Sequence, residues 1–455
     1  MVNMENKKTE SNFEIIFKNF CNQAFNKILP HEQLSFFLHS EESVFIRFNQ
    51  SKVRQNTLVH QHELSVQYFY NKNQKKIKIT ETILMTQDPE MDLRLFEQCL
   101  NSMREQALTL PSSQDFTELK NSGISSFIKK VHYPSSHEIV ALIDSLFNEK
   151  DMTGFWCSGP LRNAQANSLG QWHFYEVDHF FFDYSVYQDK NASKGYYSSD
   201  HFNLDEFKKN ITNVFHKLNA MSKPKLKIPV GTYDVYLEPM AVLEIFSTMT
   251  WSSFSFLKDK MGLSPLNKLA TKQNKLNSKF TLIEDFKLNV SPQFNSMGEI
   301  SKDQIHLFKD GEFITYLISS ISANEFNVQS LFAETNESPR SLYLLSGQLP
   351  TAHALQKLDR GLYLSNLHYI NYSDIESARL TGMTRFACFW VENGIIQSPI
   401  EDLRFDESFM DMFSEKLIDF TQESELFLNT STYNRRQFGG MKVPGALIKD
   451  FQFTL

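Results

Sequence analysis

Residues 232–249 read TYDVYLEPMAVLEIFSTM, a strand-like run that stops at a proline and continues as a helix-like run. Thr232–Leu237 is rich in β-branched and aromatic residues, which favour an extended strand. Glu238-Pro239 ends this strand, and proline is well tolerated in the first turn of a helix. The sequence therefore predicts a strand that is followed directly by a helix over Met240–Met249.

The length of the chain predicts more than one domain. A chain of 455 residues is longer than a single hydrophobic core usually serves, so two domains are expected. Ser222–Pro229 is polar and contains two prolines, which is typical of a linker. We therefore predict an N-terminal domain over residues 1–221, a linker over 222–229 and a C-terminal domain over 230–455.

The N-terminal domain is predicted to combine helices with an antiparallel sheet. Apolar residues recur at helical spacing from Phe13 to Ile28, and this first helix should end at Pro30. Three further helices are predicted over Asp88–Met103, over His137–Phe147 with Ser136 as N-cap, and over Leu204–Leu218 with Asn203 as N-cap. Strands are predicted over Ser43–Phe48, Thr57–His62, Leu64–Tyr70, Lys76–Ile83, Thr153–Cys157 and Trp172–Tyr187, with turns at Asn71–Gln74 and Ala166–Gly170.

The C-terminal domain is predicted to be rich in β-structure. After the opening strand and helix, short strands and turns follow with one or two further helices. Asn393-Gly394 lies within the run Trp390–Ile396, a pattern that predicts a hairpin turn. Phe451–Leu455 is predicted as the final strand. The two halves together indicate an α+β fold.

The overall charge argues against a protein that binds nucleic acids. The formal net charge is −7, whereas binding to a phosphate backbone requires a basic surface. The lysines of residues 72–78 alternate with Ile77 and Ile79, which is typical of the solvated side of an edge strand. We therefore expect no nucleic acid among the partners of this protein.

No stretch of the sequence resembles a membrane or export segment. Met1–Asn12 is polar and lacks the apolar core of a signal peptide. No apolar run approaches the roughly 20 residues that span a bilayer. The cysteines, at positions 21, 99, 157 and 388, are dispersed, which suits a reducing compartment. We therefore expect a cytoplasmic protein that does not bind membranes.

Five stretches of the chain together resemble a known family. They are Phe45–Asn49 with Val53–Gln55, the turn Ala166–Gly170, the unit Tyr233–Phe246, the series Arg360–Leu364, Ala378–Gly382 and Val391–Gly394 with Pro399, and Val443-Pro444 before Phe451–Thr454. In this order and spacing, spread over most of the chain, they resemble the TldD/PmbA family of metallopeptidase-related proteins. The resemblance implies an α+β N-terminal domain, a β-rich C-terminal domain of the TldD/PmbA type, and a dimer that encloses a cleft or channel.

This chain lacks the zinc motif that the metallopeptidase branch of the family carries. In that branch, HExxxH on the helix after the opening strand supplies two zinc-binding histidines and a base, and a cysteine nearer the C-terminus completes the site. Here the corresponding helix, Met240–Met249, contains Glu244 and no histidine, and Tyr433–Met441 contains no cysteine. The resemblance is therefore to the PmbA (TldE) type. We predict no catalytic, cofactor-binding or metal-binding residue in this chain, and we expect zinc in a TldD-like partner.

Two other groups of residues are candidates for chemistry outside the family site. His60 and His62 are two positions apart, so a strand would place them on one face, and Glu63 could help them hold a metal. Cys157 and His173 lie in the same β-rich stretch and could form a nucleophilic pair if they were in close contact. The alternative interpretations are partly exposed strand histidines for the first group and a packing or hydrogen-bonding role for His173.

Three functional interpretations follow. In the first, a non-catalytic subunit pairs with a TldD-like metallopeptidase subunit and positions an unfolded peptide by strand addition, in proteolysis or peptide maturation. In the second, the chain is a self-sufficient peptidase with a divergent metal or cysteine site. In the third, it is a homodimer that binds peptides without catalysis. The loss of the zinc motif favours the first interpretation.

Overall fold

The computed structural model describes residues 11–72, 75–113 and 116–454, which form two β-sheets with helices packed against them. The predicted turn Asn71–Gln74 falls partly outside the described residues, as does Leu455 of the predicted final strand. The N-terminal part contains an antiparallel sheet, and the C-terminal part is rich in strands. This architecture confirms the predicted α+β class.

The first sheet is built from the N-terminal half of the chain. Its strands are β1 (Glu32–Asn49), β2 (Lys52–Lys72), β3 (Lys75–Leu84), β4 (Ile124–Lys129), β5 (Asp151–Asn167), β6 (Trp172–Gln188) and β7 (Asn191–Ser198). Its helices are α1 (Asn12–Phe25), α2 (Pro89–Thr109), α3 (Ser136–Leu146) and α4 (Leu204–Ala220). The strand order is β3-β2-β1-β5-β6-β4, and β7 also pairs with β6. Strand β4 runs parallel to β6, whereas the other neighbours are antiparallel.

Alternate residues of β1, β5 and β6 give the first sheet two different faces. On one face, α1 and α2 cover one end of the sheet, and α3 and α4 cover the other. Trp156 and Phe182 are fully buried on this face. The opposite face packs against the C-terminal half of the chain, with Phe45, Phe155 and Phe181 in a shared core. The first sheet therefore lies between its own helices and the second half of the molecule.

The long strands of the first sheet extend further than the sequence pattern predicts. Thr57–His62 and Leu64–Tyr70 form one continuous strand, β2, rather than two. Strand β1 begins at Glu32, well before the predicted Ser43. The early part of β1 carries buried polar residues such as His39, which interrupt the apolar alternation by which a strand is recognised.

The predicted helices of the N-terminal half are present, with differences at their ends. Asn203 caps α4 as predicted. Helix α3 is capped by Ser135 rather than Ser136, because Ser135 and Glu138 form a reciprocal capping box. Helix α1 ends before its predicted last turn and α2 continues past its own. Among the described residues, no helix combines the length and the apolar character needed to cross a membrane.

The second sheet is built from the C-terminal half. Its strands are β8 (Gly231–Leu237), β9 (Leu282–Asp285), β10 (Gln304–Lys309), β11 (Glu312–Phe313), β12 (Ser341–Leu344), β13 (Gly361–Asp374), β14 (Arg379–Glu392), β15 (Ile395–Pro399), β16 (Arg404–Ser408), β17 (Leu417–Leu428) and β18 (Gly440–Phe453). The order is β11-β10-β9-β12-β18-β16-β14-β13-β8, with β15 on β14, β17 on β18, and β8 also paired with β18. The helices are α5 (Pro239–Met249), α6 (Phe256–Lys260), α7 (Asn267–Ala270), α8 (Ser320–Phe326), α9 (Ala354–Leu358) and α10 (Phe409–Met412).

Helix α5 follows β8 directly, as the opening sequence predicts. It packs against β13 and β18 in the second sheet. Phe246 of this helix is fully buried, and its ring lies 5.7–6.2 Å from the rings of Phe280, Phe409 and Phe413. Aromatic pairs at this spacing add to the free energy gained from their burial. The inner face of α5 is thus anchored in the core, which leaves its other face to line a cleft.

The two predicted C-terminal strand features are present. Asn393 and Gly394 join β14 to β15 with φ values of 55° and 69°, the left-handed conformation that a tight hairpin turn requires. The predicted strand at the end of the chain is the last part of β18, which begins earlier, at Gly440.

Candidate functional site

The start of helix α5 is fixed between the two halves of the chain. Glu238 occupies the N-cap position, where the helix dipole favours a negative charge. Its carboxylate accepts hydrogen bonds from the Lys217 ammonium of α4, at 2.8 Å, and from the Tyr363 hydroxyl of β13. These contacts join the N-terminal half to α5 and the second sheet at one carboxylate.

A cleft runs along α5 and consists of two adjoining chambers that share Lys194, Tyr196 and Met240 in their walls. The first chamber has a volume of about 370 Å³, and its other lining residues include Asp183, Leu243, Glu244, Ser247, Arg340, Phe427 and Phe438. The second chamber has a volume of about 320 Å³, and its other lining residues include Asn213, His216, Lys217, Glu238, Tyr363, Asn366 and Glu425. Both chambers are therefore bounded by residues from both halves of the chain.

The first chamber is lined by the Lys194–Asp183 ion pair, by the Glu244 carboxyl and by Arg340, whose guanidinium lies 3.8 Å from Glu334. Lys194 of β7 pairs with Asp183 of β6 at 2.8 Å. Glu244 lies on the half-buried face of α5. Burial raises the pKa of the Glu244 carboxyl above its ordinary value, and the nearby positive charge of Lys194 opposes this rise. The chamber therefore offers few charged groups that remain free to interact with a ligand.

The second chamber holds a carboxyl group with a strongly altered acidity. Glu425 lies on β17 and is exposed to the solvent of the chamber, although protein surrounds it. This enclosure raises the pKa of Glu425 to about 7, and the negative charge of Glu238 adds to the rise while Lys217 opposes it. At neutral pH this carboxyl group is close to half ionised.

The two segments in which the family resemblance places a zinc site meet in the first chamber. Leu243, Glu244 and Ser247 of α5 form part of its wall, and Phe438–Met441 form another part. These segments lie almost 200 positions apart in sequence but face the same space. The structure thus brings together the helix that lacks histidine and the segment that lacks cysteine.

The segment Tyr433–Met441 is held against the polar face of the first sheet. The guanidinium of Arg436 is buried and donates hydrogen bonds to the Ser43 hydroxyl and to the Gly159 carbonyl, both at 3.1 Å. The neighbouring Arg435 forms an ion pair with Glu63 at 2.7 Å. One wall of the first chamber is consequently tied to the N-terminal half of the molecule.

The residues of the first chamber do not fit a zinc site. A catalytic zinc needs about three protein ligands around an open position. The wall offers the carboxyl groups of Glu244 and Asp183, and Asp183 is already paired with Lys194. Within residues 11–72, 75–113 and 116–454, no group of three or more His, Cys, Asp or Glu side chains is arranged to hold a metal ion.

The candidate group of His60, His62 and Glu63 does not converge. The ring of His62 is buried between the Ser40 hydroxyl, at 2.8 Å, and the Gln87 amide, at 2.5 Å. His60 is exposed, and Glu63 points to the opposite face of β2, where it pairs with Arg435. The histidines therefore fit the alternative interpretation of strand residues better than that of metal ligands.

Cys157 and His173 lie on the same face of the first sheet but far apart. Cys157 of β5 pairs with Phe181 of β6, eight positions along that strand from His173, which corresponds to roughly 26 Å. Burial raises the pKa of the Cys157 thiol to about 12, which opposes formation of a nucleophilic thiolate. His173 instead contacts the Ser125 hydroxyl at 2.8 Å. The nucleophilic pair considered from the sequence is therefore not formed.

Sequence reasoning missed the charged residues that line the cleft. Asp183 and Lys194 lie on strands with an ordinary mixture of polar and aromatic residues, and Glu425 is one of several acidic residues on β17. No local pattern distinguishes these side chains from solvated ones. Their common location arises only from the packing of β7, α4, α5 and β17.

Solved structures of three other proteins share the fold over nearly the whole chain. A candidate modulator of a DNA gyrase from Thermotoga maritima has a TM-score of 0.74 and 16% identity, with coverage of 97% of this chain and 100% of the other. TldE from Thermococcus kodakarensis has a TM-score of 0.74 and 12% identity, with coverage of 97% and 100%. A candidate modulator of DNA gyrase from Bacteroides thetaiotaomicron has a TM-score of 0.71 and 12% identity, with coverage of 98% and 99%. Comparison with curated protein sequences finds no match.

The C-terminal half also matches a sequence family. The model of the PmbA/TldA metallopeptidase C-terminal domain covers residues 230–455. This range includes β8, α5 and the segment Tyr433–Met441, which carry the resemblance found in the sequence and the wall of the first chamber. The sequence match shows that residues 230–455 belong to the PmbA/TldA metallopeptidase C-terminal domain family, and the whole chain shares the fold of TldE and of the two candidate gyrase modulators.

Proposed function

We propose that this protein is the non-metal subunit of a TldD/TldE-like metallopeptidase and that it positions unfolded peptides in the cleft beside α5. A zinc-bearing, TldD-like partner supplies the hydrolytic chemistry. The chain itself binds and orients the peptide in the cytoplasm, in proteolysis or peptide maturation. Catalysis by this subunit alone is not part of the proposal.

The convergence of α5 and Tyr433–Met441 on one chamber is the observation that carries this proposal. Both segments line the first chamber, yet neither offers a histidine or a cysteine there. A zinc hydrolase cannot work without converging ligands and an open coordination position. This favours a role in which the cleft holds a peptide and a partner supplies the hydrolytic metal.

The free edge of strand β7 supports binding of an extended peptide. In the described chain, β7 pairs with β6 and has no strand partner on its other edge, whereas the second edge of β17 is partly occupied by a bridge between Thr421 and Leu349. Residues of both strands line the cleft, including Lys194 and Tyr196 of β7 and Phe427 of β17. A peptide that added to such an edge would be bound through its backbone, which permits many sequences.

The test is to purify the chain alone and together with a TldD-like protein that carries HExxxH, and to measure zinc content and hydrolysis of an unfolded peptide. We expect less than stoichiometric zinc and no hydrolysis with the chain alone, and hydrolysis when both chains are present. Purification from the native cell should also recover the two chains together. Replacement of the motif glutamate in the partner should abolish activity, because that residue is the base.

The matched control in this chain is Glu325→Gln, which removes an exposed charge on α8 outside the cleft. It should leave the activity of the mixture unchanged. Stoichiometric zinc together with hydrolysis by the chain alone would contradict the proposal and favour a self-sufficient peptidase. A homodimer that binds peptide and is never recovered with a metal-bearing partner would contradict the subunit role while retaining the peptide-binding role.

A further inference from the structure

The second chamber contains a carboxylate whose charge the protein does not balance. Glu238 is neutralised by Lys217, whose ammonium lies 2.8 Å and 3.2 Å from its two carboxylate oxygens. Lys194, in the shared wall, is neutralised by Asp183. Within the described part of the chain, the side chain of Glu425 has neither a hydrogen bond nor an ion pair. Ionised Glu425 therefore leaves the chamber with one unbalanced negative charge.

Neighbouring acidic residues on the same strand differ from Glu425 in this respect. The carboxylate of Glu423 is exposed and accepts hydrogen bonds from the backbone and hydroxyl of Thr351, at 2.8 Å and 2.7 Å. Glu425 is also exposed, but it lines a chamber of about 320 Å³ that also contains the Glu238–Lys217 pair. A carboxylate that lines the chamber and has no partner of its own is free to pair with a cation that enters.

The position of Glu425 defines the kind of cation that fits. It lies on β17, a strand that lines both chambers. One free carboxylate is too few ligands for a calcium or magnesium ion, which take about six or more oxygens. A primary ammonium group donates up to three hydrogen bonds and needs one counter-charge. An ammonium on an extended peptide is therefore the better match.

We infer that the second chamber binds a primary ammonium group of the peptide held in the cleft, with the Glu425 carboxylate as its counter-charge. The ammonium comes from a lysine side chain or from a free amino terminus, since both present the same chemistry. The inference rests on the proposed peptide-binding function and specifies which peptides that function prefers. Glu425 is thereby a specificity-determining residue of the cleft.

The test measures binding of short, unstructured fluorescent peptides to the full chain by fluorescence anisotropy, at about pH 7.5 with EDTA present, so that both amines carry charge. An acetylated peptide without lysine is the reference. One variant restores the free amino terminus, a second places lysine at a central position, and a third places norleucine there as the uncharged control. We expect a roughly five- to tenfold lower Kd for at least one ammonium-bearing peptide than for its uncharged counterpart.

Substitution then identifies the residue responsible. Glu425→Gln should remove the preference for the ammonium while retaining binding of the uncharged peptide, since the strand edges are unchanged. Glu325→Gln should keep the preference, because it alters the net charge equally but lies outside the cleft. Preference for the lysine peptide alone, or for the free amino terminus alone, identifies the source of the ammonium.

The outcomes separate this inference from the proposed function. Equal affinity for charged and uncharged peptides would overturn the inference and leave the peptide-binding function standing. A preference that survives Glu425→Gln would overturn the assignment of Glu425 as the counter-charge. Failure of every peptide to bind, both to the chain alone and to the chain with its partner, would overturn the proposed function and the inference with it.

Discussion

The two faces of the first sheet differ in chemistry although the same strands supply both. On the helix-covered face, Trp156 and Phe182 are fully buried, with ring centroids 6.5 Å apart. On the opposite face, His39, Asn163 and Tyr175 form one row across β1, β5 and β6 and are also buried. One set of alternate residues thus builds the N-terminal core, whereas the other holds the second half of the molecule and the cleft.

The two faces differ in the interactions that stabilise them. The two ends of the helix-covered face gain free energy from burial of aromatic surface, and the buried ion pair of Arg162 and Glu176, at 2.7 Å, lies between them. The opposite face has an aromatic core of its own around Phe181, and its polar part depends on specific hydrogen bonds, such as that between His39 and Asn163 at 2.9 Å, because buried polar groups without partners are costly. Substitutions on the two faces should therefore lower stability for different reasons: loss of buried apolar surface on one face, and loss of specific hydrogen bonds on the other.

The largest expected effect is on the helix-covered face. Phe182→Ala removes a fully buried ring that lies against Phe48, Phe147 and Phe207. We expect a loss of about 3–5 kcal/mol in the free energy of unfolding, because a cavity remains where the ring was. Urea unfolding followed by circular dichroism measures this loss.

The control for this substitution is Phe127→Ala in the same sheet, where the ring is 40% exposed. It should cost clearly less, because part of that ring already contacts water. Equal losses for the two substitutions would show that the helix-covered face is not the principal core of the N-terminal half.

The next largest expected effect on stability is on the face of the first sheet opposite its helices. Arg436→Met keeps much of the side-chain length but removes hydrogen bonds to Ser43, to Gly159 and to the His179 carbonyl. We expect a loss of about 2–3 kcal/mol, because buried partners of a charged donor are left unsatisfied. The segment that forms a wall of the first chamber should also become more susceptible to protease, which limited proteolysis with mass spectrometry can locate.

The adjacent residue provides a matched control. Arg435→Gln breaks a partly exposed ion pair with Glu63, which should cost about 1 kcal/mol or less. If Arg435→Gln released the segment as readily as Arg436→Met, the buried hydrogen bonds would not be what ties the segment to the sheet.

The comparison of the two faces also explains which structural features the sequence predicted. Aromatic alternation predicted the first part of β5, over Thr153–Cys157, and β6, over Trp172–Tyr187, because these parts bury apolar residues under the helices. The rest of β5 was missed, because it carries Arg162 on that face. The first part of β1 was missed, because its other face carries buried Ser35, His39 and Glu41. Whether the domain boundary lies at residues 222–229 stays a prediction.

The candidate site was predictable only in its local part. The lack of zinc ligands on Met240–Met249 could be read directly, because the motif lies within one helix. The electrostatic surroundings of Glu425 could not be predicted from the sequence, because they depend on Lys217 and Glu238, which lie about 200 positions away in the sequence. Long-range packing, rather than any local pattern, creates the charge imbalance of the second chamber.

The smallest expected effect is a dependence of stability on pH that originates at Glu425. Its pKa is raised from 4.5 to about 7 in the folded protein, so the folded state binds more protons than the unfolded state between these values. The contribution of this group to stability therefore falls as pH rises from about 4.5 through about 7, and the cost is complete above the folded pKa. The Glu425→Gln variant lacks this carboxyl group, so its stability should not show this fall with rising pH.

The measurement is the thermal midpoint of wild type and Glu425→Gln at several pH values. The thermal midpoint of the variant should rise relative to that of the wild type as pH increases. The difference should be largest above about pH 7 and absent below about pH 4.5. Among the described residues, the charged and titratable groups around Glu425 come from six elements: Tyr184 of β6, Lys194 and Tyr196 of β7, His216 and Lys217 of α4, Tyr236 of β8, Glu238 at the start of α5 and Tyr363 of β13. Because these are unchanged, they contribute alike to both proteins, and Glu325→Gln reports the effect of net charge alone. A difference that stays constant with pH would mean that the chamber does not raise the pKa of Glu425, and that the cleft already balances its charge.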